Sequence, residues 1–234
     1  MSESMEITEK NCEFTGLIES LGSNGEGIVH RGETVFFAPF TVVGEKVKLK
    51  ALKVKNRIGY AKALEILTPA DERVRPRCPL FTKCGGCQVQ HLRYSAQLKM
   101  KSKTVADALR KIAGIDIEVP ITVKSEFQYE YRNKLQIPVG VGKNVIGFYA
   151  ERSHRIVPVM RCPIHPYWAE QVIAAFSAYM EECGVRGYNE VDGSGDLRHI
   201  VVREVEGNFI VTAVTAKNSL PYADRLAAQL KEKF

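Results

Sequence analysis

The spacing of hydrophobic positions changes along this chain. Between residues 12 and 68, apolar and polar residues alternate in short runs: EFTGLIESL, EGIVH, ETVFFAPF, EKVKLKALKVK and IGYAKALEIL. A period of two puts successive side chains on opposite faces of a strand. Gly25, Gly32 and Gly44 fall where tight turns are needed between the runs. Five strands joined in this way predict a closed or nearly closed barrel. The stretch TPADERVRPRCP, rich in proline and charge, reads as a linker. From about 95 to 113 the period becomes helical: Leu98, Val105, Leu109 and Ile112 share one face, and Gly114 is a natural stop. Strand-like runs return as IEVPITV, YRNKLQIPVG, NVIGFYAE and HRIVPV. A second helix follows Pro163, with Pro166 at its first turn and Gly184 near its end. Its expected buried stripe is Ala169, Val172, Ile173, Phe176 and Met180. LRHIVVREVE and NFIVTAVTA, joined at Gly207-Asn208, predict a hairpin, and a last helix begins in SLPYADRL. The second unit is therefore expected to be α+β, built on antiparallel strands.

Composition adds a frame. A chain of 234 residues, 45% hydrophobic, can hold one large domain or two small ones. No run approaches the roughly 18 apolar residues of a membrane span. The polar start MSESMEITEKNCEF has no signal-peptide core. A cytoplasmic location is expected, where thiols stay reduced.

The net charge of +6, from 33 Lys and Arg against 27 Asp and Glu, matters because it is clustered. Lys46, Lys48 and Lys50 alternate with Val47 and Leu49, and Lys53, Lys55 and Arg57 continue the basic stretch. Such a row suits a phosphate track, or equally an edge strand that lysines protect from aggregation. Arg132 and Lys134 alternate in a strand and could share a face, as RNA contacts or as members of surface ion pairs. Arg152, His154 and Arg155 lie beside Phe148 and Tyr149. Basic groups with aromatics hold unpaired RNA by phosphate contact and stacking; aromatics buried in a sheet are the alternative.

The cysteines carry the sharpest signal. Cys78, Cys84 and Cys87 lie within CPLFTKCGGC, and Cys162 lies in RCPIHP. Gly85 and Gly86 let the backbone turn so that neighbouring sulfurs can face one centre. Pro163 stiffens the distant loop. Four thiolates so arranged suit an iron–sulfur cluster or structural zinc. Cys12 and Cys183 show no partner pattern and read as ordinary thiols. His91 follows the clamp and could hydrogen-bond near it, and His165 belongs to the loop beside Cys162.

Taken in order, the lysine-rich barrel, CPLFTKCGGCQVQHL, YRNKLQIPVG, IGFYAERSHRIVPVMRCPIHP and LRHIVVRE make the chain resemble the RNA uracil-5-methyltransferases. It looks most like the 23S ribosomal RNA members with an N-terminal TRAM domain and a 4Fe-4S cluster. The resemblance implies an OB-like, five-stranded TRAM barrel over 8–68 that binds RNA. It implies a central α+β domain over 69–234, with the cluster held by Cys78, Cys84, Cys87 and Cys162. It also implies S-adenosylmethionine as methyl donor, ribosomal RNA as partner, and a monomer with no protein partner or membrane. RNA contacts would come from Lys46, Lys48, Lys50, Lys53, Lys55, Arg132, Lys134, Arg152, His154 and Arg155.

The family's chemistry needs a Rossmann-like domain, a cysteine nucleophile and a base. The run DGSGD at 192–196 leads into a strand-like segment rather than a helix, so it is not expected to be a cofactor turn; Gly140 and Gly142 sit in a hairpin-like turn. Cys12 and Cys183 lack the context of a nucleophile. The expectation from the sequence is thus an RNA-binding and cluster-bearing portion without catalytic or S-adenosylmethionine residues, inactive alone. The alternative is a non-catalytic RNA-binding module with a structural zinc site made of four cysteines.

Overall fold

A computed structural model describes residues 10–142 and 145–234. The expected domain start at residue 8 and Asn144, the first residue of the run NVIGFYAE, lie outside the described residues. The chain forms two compact units that interleave in sequence. In its described part the first spans 10–77 and 87–124, and the second spans 78–86 and 125–234.

The first unit holds six strands: β1 (Glu13–Leu17), β2 (Ser20–Leu21), β3 (Gly27–Arg31), β4 (Thr34–Ala38), β5 (Lys46–Lys55) and β6 (Ile58–Thr68). Their order is β1-β5-β6-β4-β3-β2, with β4 parallel to β6 and the other pairs antiparallel. This corrects the expected five-stranded barrel: the sheet is mixed and has six strands. The run EFTGLIESL divides because it serves two neighbours. Its first half pairs with β5 and its second with β3. At the break, the amide of buried Ile18 donates to the Glu45 carbonyl, and the Gly44 amide donates to the Ile18 carbonyl. The two ends of the sheet, β1 and β2, are consecutive in sequence, so the sheet curls on itself. Gly16 makes that curl possible, because a Cβ there would stand 2.4 Å from Val29 Cγ2. Phe14, Ile18, Val29, Phe36, Ala38, Val47, Leu49, Ala51 and Ala61 fill the interior.

Glu45 ties the following segment to this sheet. Its carboxylate is wholly buried and forms an ion pair with Arg73. It also accepts from the Val42 amide at 2.8 Å, and Arg73 Nη2 donates to the Phe40 carbonyl at 2.9 Å. Next to it, buried His91 meets the Thr41 carbonyl through Nε2 at 3.2 Å; burial holds its pKa below the usual value. The helix α1 (Tyr94–Ala113) ends on Gly114 in the left-handed conformation. Its expected apolar face is only half realised, for Val105 and Ile112 are exposed. The residue it buries is Ser102, which donates to the Pro120 carbonyl and accepts from the Thr122 amide. That anchoring explains why IEVPITV is no strand: Pro120 has no amide to give a ladder, and the helix supplies the bonds instead.

The second unit packs a three-stranded antiparallel sheet, order β11-β10-β7, and a ribbon of β8 and β9 around one helix. The strands are β7 (Lys134–Pro138), β8 (Gly147–Tyr149), β9 (Ile156–Pro158), β10 (Leu197–Val205) and β11 (Asn208–Thr215). Helix α2 (Trp168–Cys183) buries the predicted stripe and adds Trp168, Ala175 and Tyr179. Helix α3 (Ala223–Lys233) follows, and the buried Tyr179 hydroxyl donates to the Pro221 carbonyl ahead of it. No helix among the described residues is long and apolar enough to cross a membrane.

The ion pair sets a test of stability. Burial alone would raise the Glu45 carboxyl pKa; the Arg73 hydrogen bond, the Val42 amide, the Arg73 charge and the Ala70 amide outweigh it and hold the pKa below its usual value. A carboxyl lowered on folding stabilises the native state above the unfolded pKa, and that contribution fades as pH falls through the lowered value. Glu45→Gln should cost about 3 kcal/mol at neutral pH in urea unfolding, at the lower end for a buried pair that loses one partner. The cost should shrink in acid.

Candidate nucleic-acid interface

Strand alternation builds the first basic face. Val47, Leu49 and Ala51 are fully buried, which turns Lys46, Lys48 and Lys50 outward. A register shift between Ala51 and Lys53 leaves Leu52 and Lys53 both exposed, so the period resumes with Val54 inward and Lys55 outward. The strand lies between β1 and β6, not at an edge. Protection of a bare edge therefore does not explain Lys46, Lys48 and Lys50, which β1 covers, whereas Lys53 and Lys55 lie beyond its pairing. Lys48 is engaged by Glu13 at 2.9 Å, and that hydrogen bond with its charge raises the Lys48 pKa and lowers that of Glu13. Lys50 stands opposite Lys62 of β6, a residue the sequence did not single out. Like charges opposed across strands repel, and an anion between them would relieve the repulsion.

A second basic surface lies in the other unit. Arg132 and Lys134 line one cavity of about 430 Å³ with Tyr131, Asn133, Phe148 and His165. The strand starts only at Lys134; Arg132 is fixed by its amide, which donates to the Ile164 carbonyl at 3.0 Å. Arg203 of β10 faces Lys134 in register and adds charge. His165 is buried and stacks on Phe148 with centroids 5.9 Å apart; burial lowers its pKa. Its amide donates to the Cys162 carbonyl, so it belongs to the cysteine loop as expected.

The predicted basic-aromatic group separates into two. Phe148 and Tyr149 are consecutive residues of β8, and they line different cavities. Tyr149 faces His154, with rings 5.5 Å apart, in a cavity of about 420 Å³. His154 Nδ1 lies 2.8 Å from Glu190 Oε2. Arg152 sits at φ 51° with Nε 3.7 Å from Glu151 Oε1, and Arg155 is exposed, its amide bonded to Ser153. The ribbon is locked at Gly147, where a Cβ would stand 1.9 Å from the Val157 carbonyl oxygen.

All six cysteines are thiols. Cys78 and Cys84 belong to the second unit with Cys162, and Leu80 between them packs on the same core as Cys162. The Gly85 amide donates to the Tyr149 carbonyl at 2.9 Å. A Cβ on Gly85 would press within 3.0 Å of the Glu151 backbone. Cys87 falls in the first unit. Among the described residues no three Cys, His, Asp or Glu side chains are grouped to hold a metal ion. The donor chemistry suits a soft metal or cluster; no coordination geometry is defined. Cys12 is exposed, and Cys183 closes α2 against the core. The DGSGD turn runs into β10, its Asp196 accepting from the Arg186 amide and from Lys217.

No protein-family model matches the chain. It is 39% identical over 228 residues to an uncharacterized RNA methyltransferase of Clostridium tetani, covering 96% of this chain and 50% of the relative. To one of Listeria monocytogenes it is 35% identical over 232 residues, covering 97% and 51%. The chain thus spans about half the length of the curated relatives it matches. Among solved structures, it resembles the Pyrococcus abyssi tRNA (uracil-54, C5)-methyltransferase in complex with S-adenosyl-L-homocysteine. The TM-score is 0.69 at 27% identity, covering 91% of this chain and 48% of that one. These likenesses support placing the chain in the RNA methyltransferase family. They correct the expectation of a portion set apart from the methyltransferase fold. Because 91% of the chain matches an enzyme holding a methyl-transfer product, the predicted absence of the catalytic domain and of activity is withdrawn, and so is the non-catalytic zinc module.

Salt dependence tests the lysine face. Removing Lys46 and Lys50 together by alanine should flatten the log–log salt slope of single-stranded RNA binding by roughly 1.4, at about 0.7 for each phosphate no longer neutralised. Lys48→Ala should move it less, since Glu13 already engages that lysine. Equal effects would show that all three project equally into the phosphate field.

Proposed function

We propose that the protein carrying this chain is an S-adenosylmethionine-dependent RNA uracil-C5 methyltransferase, cytoplasmic, with 23S ribosomal RNA as the substrate favoured by its motifs. The carrying observation is the likeness, over 91% of the chain, to an enzyme of that chemistry with S-adenosyl-L-homocysteine bound. The basic strand β5 and the Arg132–Lys134 cavity support the reading. They offer phosphate contacts that hold RNA without reading its sequence, as an enzyme needs when the target base itself is presented to a separate pocket. The whole protein carrying this chain, incubated with tritium-labelled S-adenosylmethionine and with 23S rRNA or tRNA, should form 5-methyluridine in the ribosomal RNA. Label at another base, or none in either RNA, would refute the reading; label in tRNA alone would reassign the substrate.

The same reading gives Cys78, Cys84, Cys87 and Cys162 a 4Fe-4S cluster, supported by their spacing and thiol state. Anaerobic protein should carry about four irons and four sulfides per chain, as this cluster type requires. Cys162→Ser should release iron. Stoichiometric zinc would exclude the cluster, and iron retained in the variant would exclude Cys162 as a required ligand.

A further inference from the structure

The cavity beside Tyr149 has contents that phosphate binding does not use. Tyr188 and Arg198 reach it from the segment leading into β10 and from β10 itself, some forty residues beyond β8. Arg198 Cζ lies 4.5 Å from the centre of the Tyr188 ring. Its Nε is buried with no hydrogen-bond partner among the described residues. That nitrogen is closed to solvent, so an outside acceptor would meet the guanidinium at its Nη groups. Glu190 faces the same space, held by His154 through one carboxylate oxygen. A carboxylate has about four lone-pair sites, so the bond to His154 leaves capacity on both oxygens. Val141 and Val191 stand at the rim, 60% and 95% exposed. A volume near 420 Å³ falls within the roughly 300–1,000 Å³ of small-molecule sites.

Two aromatic rings, an arginine fork, a carboxylate and an apolar rim define a planar ligand that both donates and accepts. We propose that this cavity binds an unpaired guanine base of RNA, an inference that rests on the RNA-binding reading above. Unpaired bases are held by stacking on aromatic and arginine planes and by hydrogen bonds to their edges. Arginine is the usual donor to guanine O6 and N7. Guanine N1–H and its N2 amino group donate, and Glu190 accepts. Adenine offers no such N1–H and places an amino donor where guanine presents O6, so it meets Arg198 donor to donor. His154 is a positioning residue that orients the carboxylate, and Tyr149 and Tyr188 supply the faces.

The test uses the 234-residue chain and labelled pentaribonucleotides with a central guanine, inosine or adenine in an otherwise uniform adenine strand. The guanine strand should bind about tenfold tighter than the adenine strand, the discrimination of one good bidentate contact. Inosine, which lacks the N2 amino group, should fall between them. Glu190 is exposed, so Glu190→Gln should fold normally, and it should narrow the guanine preference and close the gap between guanine and inosine, the remainder coming from Arg198. Equal binding of guanine and adenine strands by the parent, or a preference undiminished in Glu190→Gln, would overturn the proposal. Base preference is read without methyl donor. Guanine preference without 5-methyluridine formation would sink the enzymatic reading alone, and 5-methyluridine formation without guanine preference would sink the guanine site alone.

Discussion

The first unit is organised by the buried carboxylate of Glu45. A charge with no exposed surface must be matched within hydrogen-bond distance or be expelled, because desolvation costs several kcal/mol per ion. The match is Arg73, which stands outside the sheet in the linker. One ion pair therefore fixes where the chain leaves the sheet, and the Phe40 carbonyl and the Val42 amide complete its coordination. His91 and α1 follow from that point. Their placement depends on a polar lock in the linker more than on apolar area, since α1 buries so little of its own hydrophobic face.

Period-two patterning and helical stripes are readable because both are local. The outward lysines of β5 and the buried stripe of α2 lie where alternation and 3.6-residue spacing put them. Failures arise where a residue's neighbour is distant. IEVPITV has the composition of a strand, yet Ser102, about twenty residues earlier, takes its hydrogen bonds. EFTGLIESL looks like one strand because nothing in it shows that its two halves have different partners. The cysteine motif is plain in the sequence. The cavity partners of Tyr149 are not: Tyr188, Glu190 and Arg198 are unremarkable singly and acquire meaning only when β10 carries them beside β8.

Likeness to a methyltransferase holding S-adenosyl-L-homocysteine changes how the chain is understood as a whole. Motifs alone suggest an accessory to catalysis, because they make neither a glycine-rich cofactor turn nor an activated thiol legible. The likeness takes in 91% of this chain and 48% of that enzyme, so the basic surfaces lie on a part whose fold the enzyme shares. On the proposed reading, the two basic faces would serve affinity, and base recognition would come from pockets with polar edges.

The ribbon of β8 and β9 carries a consequence for copying errors. Phe148 and Tyr149 line different cavities only because they are neighbours in a strand of period two. A one-residue slip would exchange them, and the tyrosine would meet His165 while the phenylalanine met His154. Gly147 forbids that exchange: no residue with a Cβ fits against the Val157 carbonyl, so Phe148 cannot move into its place. A single deletion in the 150–155 turn would thus be absorbed as a strained loop, not as a quiet swap of ring chemistry between the two cavities.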